Sequence, residues 1–272
     1  MVAQSEPSLS VSRVAADGPS KSLVMMHGIY GRGRNLQAVA RGVTAARPEY
    51  ACWLVDLPYH GDSGPSPHGA TVSGLATTVL DWLQESDITP TALLGHSYGG
   101  KVALAMMPSL AAQPLQVWVI DSTPETKTPA GSAWDMLAII RRLPQTFETR
   151  EAAVCAIVEA GFPLGVAQWM GTNLTRRDAG FVWRLDFEVM EQLLHDFFRT
   201  DLWSAVETPP PGHEVHFLKA STSSAISESA VARLTTAAAG GRVHIHHRTG
   251  GHWIHAESPA VVTELLVKHL PR

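Results

Sequence analysis

Six short apolar runs, at 22–27, 50–57, 91–96, 116–122, 215–220 and 242–248, recur along this chain. Such runs fit strands buried on both faces of a sheet. Segments of helical period lie among them. Leu36, Val39, Ala40 and Val43 follow an i, i+3, i+4, i+7 spacing, and Val72, Leu75, Ala76, Val79, Leu80 and Leu83 hold that period for three turns. Strands that alternate with helices pair in parallel, because each helix carries the chain back across the sheet. The expected fold class is therefore α/β, a mostly parallel central sheet flanked by helices. Residues 9–14 alternate weakly and are expected as an antiparallel edge strand. Ser258 and Pro259 read as the N-cap and first residue of a closing helix, with Val261, Val262, Leu265 and Leu266 turned inward.

The alternation breaks once. From 124 to 214 no strand pattern is visible, only helical patterns at 134–142, 149–160 and 187–198, ending in Thr208-Pro209-Pro210-Pro211-Gly212. The expected organisation is a core at 1–123 and 215–272 carrying a helical cap at 124–214. Trp134, Met136, Phe147, Trp169, Met170, Phe181 and Trp183 are candidates to line an apolar pocket there, and more than half of them are expected simply to pack the cap onto the core. Val154, Ile157 and Val158, with Met190, Leu193, Leu194 and Phe197, are expected as inward faces.

Composition excludes several classes. A net charge of −4 leaves no basic footprint for nucleic acid or an acidic membrane surface. The longest stretch free of charged residues, 102–120, contains Pro108 and Pro114 and reads as helix–turn–strand rather than a membrane span. The first twenty residues hold no apolar signal core. A cytoplasmic protein is expected, a monomer or homodimer acting on a small molecule. Cys52 and Cys155 are expected as two buried thiols.

Gly95-His96-Ser97-Tyr98-Gly99 fits G-x-S-x-G, and it follows an apolar strand and opens a helix. That strand–turn–helix context holds a serine exposed above a sheet edge. A serine hydroxyl needs a base, and the base needs an orienting acid. Gly251-His252-Trp253 lies between the last strand and the closing helix, which makes His252 the candidate base, with His255 the alternative. His244, His246 and His247 lie on a strand with no Asp, Glu or Cys in the nearby sequence pattern to complete a metal set, so no metal and no cofactor is expected.

For the acid, the stretch Ala220-Ser221-Thr222-Ser223-Ser224 offers no carboxylate, and the next, Glu228, falls inside a helix. The preceding strand ends Val119-Ile120-Asp121, so Asp121 is the candidate acid, its alternative role being a cap for the segment that follows. The N–H groups stabilising a developing oxyanion are expected from Tyr98 and from Ile29, with Tyr30 second. Candidate substrate contacts are Tyr30, Trp134, Trp169, Trp183 and Trp253. The loop 56–64 is expected to shape the floor by turn hydrogen bonds.

His27-Gly28, His60-Gly61-Asp62-Ser63, Gly95-His96-Ser97-x-Gly99-Gly100-Lys101 and Gly251-His252-Trp253-x-His255-Ala256-Glu257 together resemble the α/β-hydrolase superfamily. More narrowly they resemble its branch of YbfF-type esterases and abhydrolase-domain-eleven proteins, as do Thr172-Asn173-Leu174 and Phe181-Val182-Trp183-Arg184. The resemblance covers about residues 22–270, departs at the serine-rich 221–224 loop, and implies an acid after the sixth strand. It implies a serine hydrolase cleaving short-to-medium acyl esters or thioesters through an acyl-enzyme. Two alternatives remain: a C–C bond hydrolase on the same residues, or a non-enzymatic small-ligand receptor.

Overall fold

The computed structural model describes residues 9–272; residues 1–8, part of the expected core and of the stretch read as lacking a signal, lie outside the described residues. The chain opens with β1 (Val11–Ala15), β2 (Lys21–Met26), α1 (Gln37–Ala46), β3 (Tyr50–Val55), α2 (Val72–Glu85), β4 (Ala92–His96), α3 (Tyr98–Met106) and β5 (Leu115–Ile120). The next segment holds α4 (Ser132–Ile140), β6 (Thr146–Phe147), α5 (Arg150–Glu159), α6 (Leu164–Gly171), β7 (Leu174–Arg177), β8 (Gly180–Trp183), α7 (Phe187–Arg199) and α8 (Trp203–Glu207). The chain returns through β9 (His213–Ala220), α9 (Glu228–Ala238), β10 (Val243–Arg248), α10 (Ile254–Glu257) and α11 (Pro259–His269).

Seven strands form one sheet in the order β1-β3-β2-β4-β5-β9-β10. Only β1 runs antiparallel, pairing Val11 with Val55 and Ala15 with Ala51 at the edge. The expected edge strand is there, one or two residues later than its sequence pattern. Side-chain alternation divides the sheet's burial between two faces. Leu23 and Met25 pack with Leu36, with Val39 and Val43 of α1 and with Val262, Leu265 and Leu266 of α11. Val24 and Met26 pack with Leu75 and Val79 of α2 and Val102 of α3. Each such fully buried side chain contributes about 1.5–3 kcal/mol relative to leaving it exposed.

The segment between β5 and β9 is not wholly helical. β6, β8 and β7 form a second, three-stranded antiparallel sheet, which corrects the expectation of no strand there. Thr146–Phe147 is too short to show a period, and Leu174–Arg177 ends in two arginines, so neither carries an alternating pattern. Other details also depart from expectation. Cys155 is exposed while Cys52 is buried, because Ala153 and Ile157 supply the inward face of α5. Val158, one residue on from Ile157, is 38% exposed for the same reason. Ser258 stands at the N-cap of α11, but its side chain accepts no capping bond.

Among the polar contacts that join the inserted segment to the helices and loops around the sheet, those of four side chains stand out. Lys101 of α3, fully buried, donates from Nζ to the carbonyls of Glu125, Phe197 and Thr200 at 2.8, 2.6 and 2.7 Å. Asp196 of α7 accepts the Val72 N–H at 2.6 Å, placing a carboxylate at the N-terminus of α2 where the helix dipole favours it. Asn173 donates to the Tyr30 carbonyl at 2.8 Å, and Arg184 donates to the Gly61 carbonyl at 2.8 Å and to Asp62. A buried ammonium is costly unless its donors are satisfied, and three carbonyls satisfy Lys101.

Candidate active site

The site is built where β4, β5 and β9 end. Ser97 sits between β4 and α3 with φ 51° and ψ −115°, a conformation that costs a non-glycine residue about 1–3 kcal/mol. Neighbouring glycines make the turn possible. A Cβ on Gly95 would fall 2.0 Å from the Gly99 carbonyl oxygen, and one on Gly99 would fall 2.5 Å from that of Met26. Ser97 N–H donates to the Ile120 carbonyl at 3.0 Å, and the Ser97 carbonyl accepts from Gly100 N–H at 2.9 Å, so the turn is tied to β5 on one side and to α3 on the other.

His252 lies in the loop between β10 and α10. Its Nε2 stands 3.1 Å from Ser97 Oγ and its Nδ1 2.7 Å from Asp121 Oδ2. Asp121 follows β5 directly, is fully buried, and like Ser97 has positive φ, 47°. A carboxylate accepts only, so His252 Nδ1–H donates to Asp121, which leaves Nε2 as the acceptor facing the serine hydroxyl. The other Asp121 oxygen accepts the Ala220 N–H at 3.1 Å, and Ser223 donates its hydroxyl to Oδ2. Glu228, by contrast, is exposed in the first turn of α9, and Asp201 caps the Trp203 N–H at 3.0 Å.

Behind the base lies a cluster of imidazoles. His96 Nε2–H donates to the His252 carbonyl at 2.8 Å, and the His96 ring centroid lies 4.9 Å from that of His252 and 4.0 Å from that of His255. Burial, reinforced by the neighbouring imidazoles, lowers His96 well below the ordinary histidine range and His255 to about 3, so both rings are neutral. His255, the alternative base, is buried against His96 while His252 alone of the two reaches Ser97.

The loop after β2 passes close to Ser97. A Cβ on Gly28 would stand 3.2 Å from Ser97 Cβ, so only backbone fits between them. His27 fixes this loop: Nδ1–H donates to the Gly28 carbonyl at 2.7 Å while Nε2 accepts the Leu57 N–H at 2.9 Å. Ile29 lines the recess in front of Ser97, and Tyr98 opens α3 directly after it. Tyr30 has φ 61°, and its Oη donates to the Ala133 carbonyl at 2.9 Å. In the 56–64 loop, Asp56 accepts from Gly33 N–H at 2.6 Å and Asp62 N–H at 2.9 Å, so its polar groups serve the turn.

Two recesses converge on Ser97. The narrow one, about 20 Å³, is lined by Ile29, Tyr30, Ala133, Met136, Trp169 and Trp253 among others. The wider one, about 440 Å³, is bordered by Thr123, Lys127, Phe197, Ser223, Ala225 and Glu257 among others. Trp169 and Trp253 face each other with ring centroids 6.2 Å apart. Trp134 and Trp183 are not among the residues lining either recess, which corrects their expected place at the substrate. On α4, Ala133 and Met136 share the face toward Ser97, so Trp134 between them turns to His195 and Phe198. Trp183, on β8, packs edge-on against Phe147 and Phe187. Phe147 and Phe181 likewise pack within the inserted segment, and Met170 is buried in the main apolar cluster.

The contributions of Ser223, the Ala220 N–H, His96 and Lys101 were not anticipated. Each acts across strands or elements far apart in sequence, and the only signal for Ser223 was the missing carboxylate in its loop. One further expectation is corrected. A carboxylate does stand beside the strand histidines: Glu214 and His216 of β9 lie alongside His244 of β10, with one ligand atom of each within 4.8 Å of the others. The two strands are about thirty residues apart, so only their pairing reveals the cluster.

The sequence profile of the alpha/beta hydrolase family matches residues 23–265. The chain is 28% identical over 262 residues to the sn-1-specific diacylglycerol lipase ABHD11 of Xenopus tropicalis, covering 92% of this chain and 77% of that protein. It is 24% identical over 250 residues to esterase YbfF of Escherichia coli (strain K12), covering 91% and 92%. Its fold superimposes on the solved structure of a marine microorganism esterase with a TM-score of 0.83 at 17% identity, covering 96% and 99%. Among the described residues no helix is long and apolar enough to cross a membrane.

Proposed function

The chain belongs to the alpha/beta hydrolase family, and from that premise we propose that it is a serine hydrolase cleaving carboxylic esters or thioesters of short-to-medium acyl chains. The observation that carries this reading is the hydrogen-bonded line Ser97 Oγ, His252 Nε2, His252 Nδ1, Asp121 Oδ2, at 3.1 and 2.7 Å. In the proposed reaction His252 takes the hydroxyl proton as Ser97 Oγ attacks the substrate carbonyl, and Asp121 stabilises the imidazolium. His252 then gives that proton to the leaving alcohol or thiol. Water, activated by His252 in turn, releases the acid from Ser97. Backbone N–H groups of Tyr98 and Ile29 receive the oxyanion; losing one such donor typically costs about 2.7–4 kcal/mol of transition-state stabilisation.

The activities for which the similar proteins are named, an esterase and a diacylglycerol lipase, agree with ester cleavage. The two recesses suggest a division of the substrate. A cavity of about 20 Å³ admits little more than one water molecule, so the recess beside Ile29, Met136 and Trp169 suits a short acyl arm. The wider recess, with Lys127, Glu257 and several hydroxyls on its wall, suits the larger and more polar part. We assign 1–123 and 215–272 to the core and 124–214 to the cap.

A p-nitrophenyl ester series read with the wild-type chain and Ser97→Ala tests the proposal. Hydrolysis is expected to peak at short acyl lengths and to vanish in Ser97→Ala. A rate that kept rising to about sixteen carbons would contradict the acyl assignment. Ester hydrolysis surviving in Ser97→Ala would contradict the mechanism.

A further inference from the structure

Within the sheet, away from its carboxyl edge, β9 and β10 run parallel with His244 opposite His216. Side-chain alternation turns Glu214 and His216 of β9 and His244 and His246 of β10 to one face. The His216 ring stacks on those of His244 and Trp118, with centroids 4.4 and 4.3 Å apart, and is buried. His216 Nδ1 lies 3.0 Å from His246 Nε2, and its Nε2 faces Glu214 Oε2 at 3.4 Å. His244 Nε2 is sealed from water and has no hydrogen-bond partner among the described residues, a state that ordinarily costs a buried polar atom about 1–3 kcal/mol.

We propose that Glu214, His216 and His244 form a binding site for a divalent transition-metal ion of the zinc type. Two imidazoles and one carboxylate are a donor set that suits zinc-type ions, while magnesium and calcium prefer oxygen alone. Glu214 Oε2, His216 Nε2 and His244 Nε2 supply three ligands, and water supplies the fourth. Metal–ligand lengths near 2.1 Å put tetrahedral ligand atoms roughly 3.4 Å apart. One ligand atom of each residue already lies within 4.8 Å of the others, so side-chain rotation closes the set.

The surroundings fit a ligand set. With Nδ1–H of His216 donated to His246, the Nε2 lone pair is directed outward, and Gln116 Nε2 holds Glu214 Oε2 at 3.2 Å. Such outer contacts orient metal ligands and commonly change affinity 10–100-fold. The Glu214 side chain is 49% exposed, which gives an ion its way in. Binding clasps the edge strand β10 to β9, and an ion that binds only the folded chain raises its melting temperature.

The test uses the untagged full chain, Zn²⁺ in calorimetry and thermal unfolding, and Co²⁺ as an absorbing probe. The expected result is one equivalent of Zn²⁺ bound, a raised Tm, and a tetrahedral Co²⁺ spectrum. Affinity should fall about tenfold or more in His244→Ala and in Glu214→Gln, and stay unchanged in His252→Ala. Glu214→Gln alters an exposed side chain without changing its shape, so it keeps the test sound if His244→Ala misfolds. No bound ion, equal binding by both variants, or binding lost in His252→Ala would overturn the proposal. None of these readouts depends on ester hydrolysis.

Discussion

Ser223 donates its hydroxyl to Oδ2 of Asp121 across 102 residues of chain. The same oxygen receives Nδ1–H of His252, and the other Asp121 oxygen receives the Ala220 N–H. The carboxylate is thus held by three donors, two of them from the end of β9. Ser223→Ala removes one charge-assisted bond and leaves the Ala220 contact. On our reading Ser223 positions the acid, so kcat should fall roughly tenfold, about 1.4 kcal/mol, with KM within about twofold. Ser223→Thr, which keeps the hydroxyl, should restore most of the rate. A fall in stability with kcat unchanged would assign Ser223 a structural role only.

Asp121→Asn replaces the acceptor of the His252 proton with an amide and favours the wrong imidazole tautomer. The expected loss in kcat is at least about 10², and as much as 10⁴ by analogy with the same change in other triads. Glu228→Gln, at an exposed position in the first turn of α9, should leave the rate within about threefold. Steady-state kinetics of the two variants decide. An active Asp121→Asn beside a dead Glu228→Gln would place the acid one strand further on.

Acid should destabilise the fold early. Burial lowers His27 and His96 well below the ordinary histidine value, His60 to about 4 and His255 to about 3. His27 uses both ring nitrogens as a neutral ring, and protonating Nε2 would break its bond from Leu57 N–H. The unfolded chain, with histidines near 6.5, therefore takes up protons first as pH falls. Stability should be full above about pH 7 and decline from about 6.5 toward 4, by about 1.4 kcal/mol per pH unit for each such histidine. Denaturant titrations at pH 7.5, 6 and 5 measure the slope, and a flat profile would mean that these rings are solvated.

Much of this site was legible in the chain because its signals are local. The strand before Ser97, the glycines around it and the helix after it occupy fifteen consecutive residues, 92–106. Asp121 was legible for a related reason, as the residue directly after a largely apolar strand. Ser223 was not, because its role depends on β5 and β9 being neighbours in the sheet, a matter of strand order rather than spacing. The cluster of Glu214, His216 and His244 was hidden in the same way by the pairing of β9 with β10.

Within the inserted segment the sequence said less. Helical periodicity located α4, α5 and α7 and the buried side of α7, at Met190, Leu193 and Leu194, but misjudged α5 at Val158, which is exposed. Trp134 and Met136 are two residues apart and face different surroundings, so the apolar pattern that made both of them pocket candidates could not separate them. The short strands β6 and β7 lacked the alternation that marks a strand.

Peptide mapping by mass spectrometry after reaction with a fluorophosphonate tests the central claim most directly. This probe is attacked by an activated serine and leaves a stable phosphonyl adduct on its oxygen. One adduct per chain is expected, on Ser97. It should be absent in Ser97→Ala and much slower to form in His252→Ala, because the two residues act as a unit. An adduct on another serine, or no adduct on a chain that hydrolyses esters, would contradict Ser97 as the nucleophile.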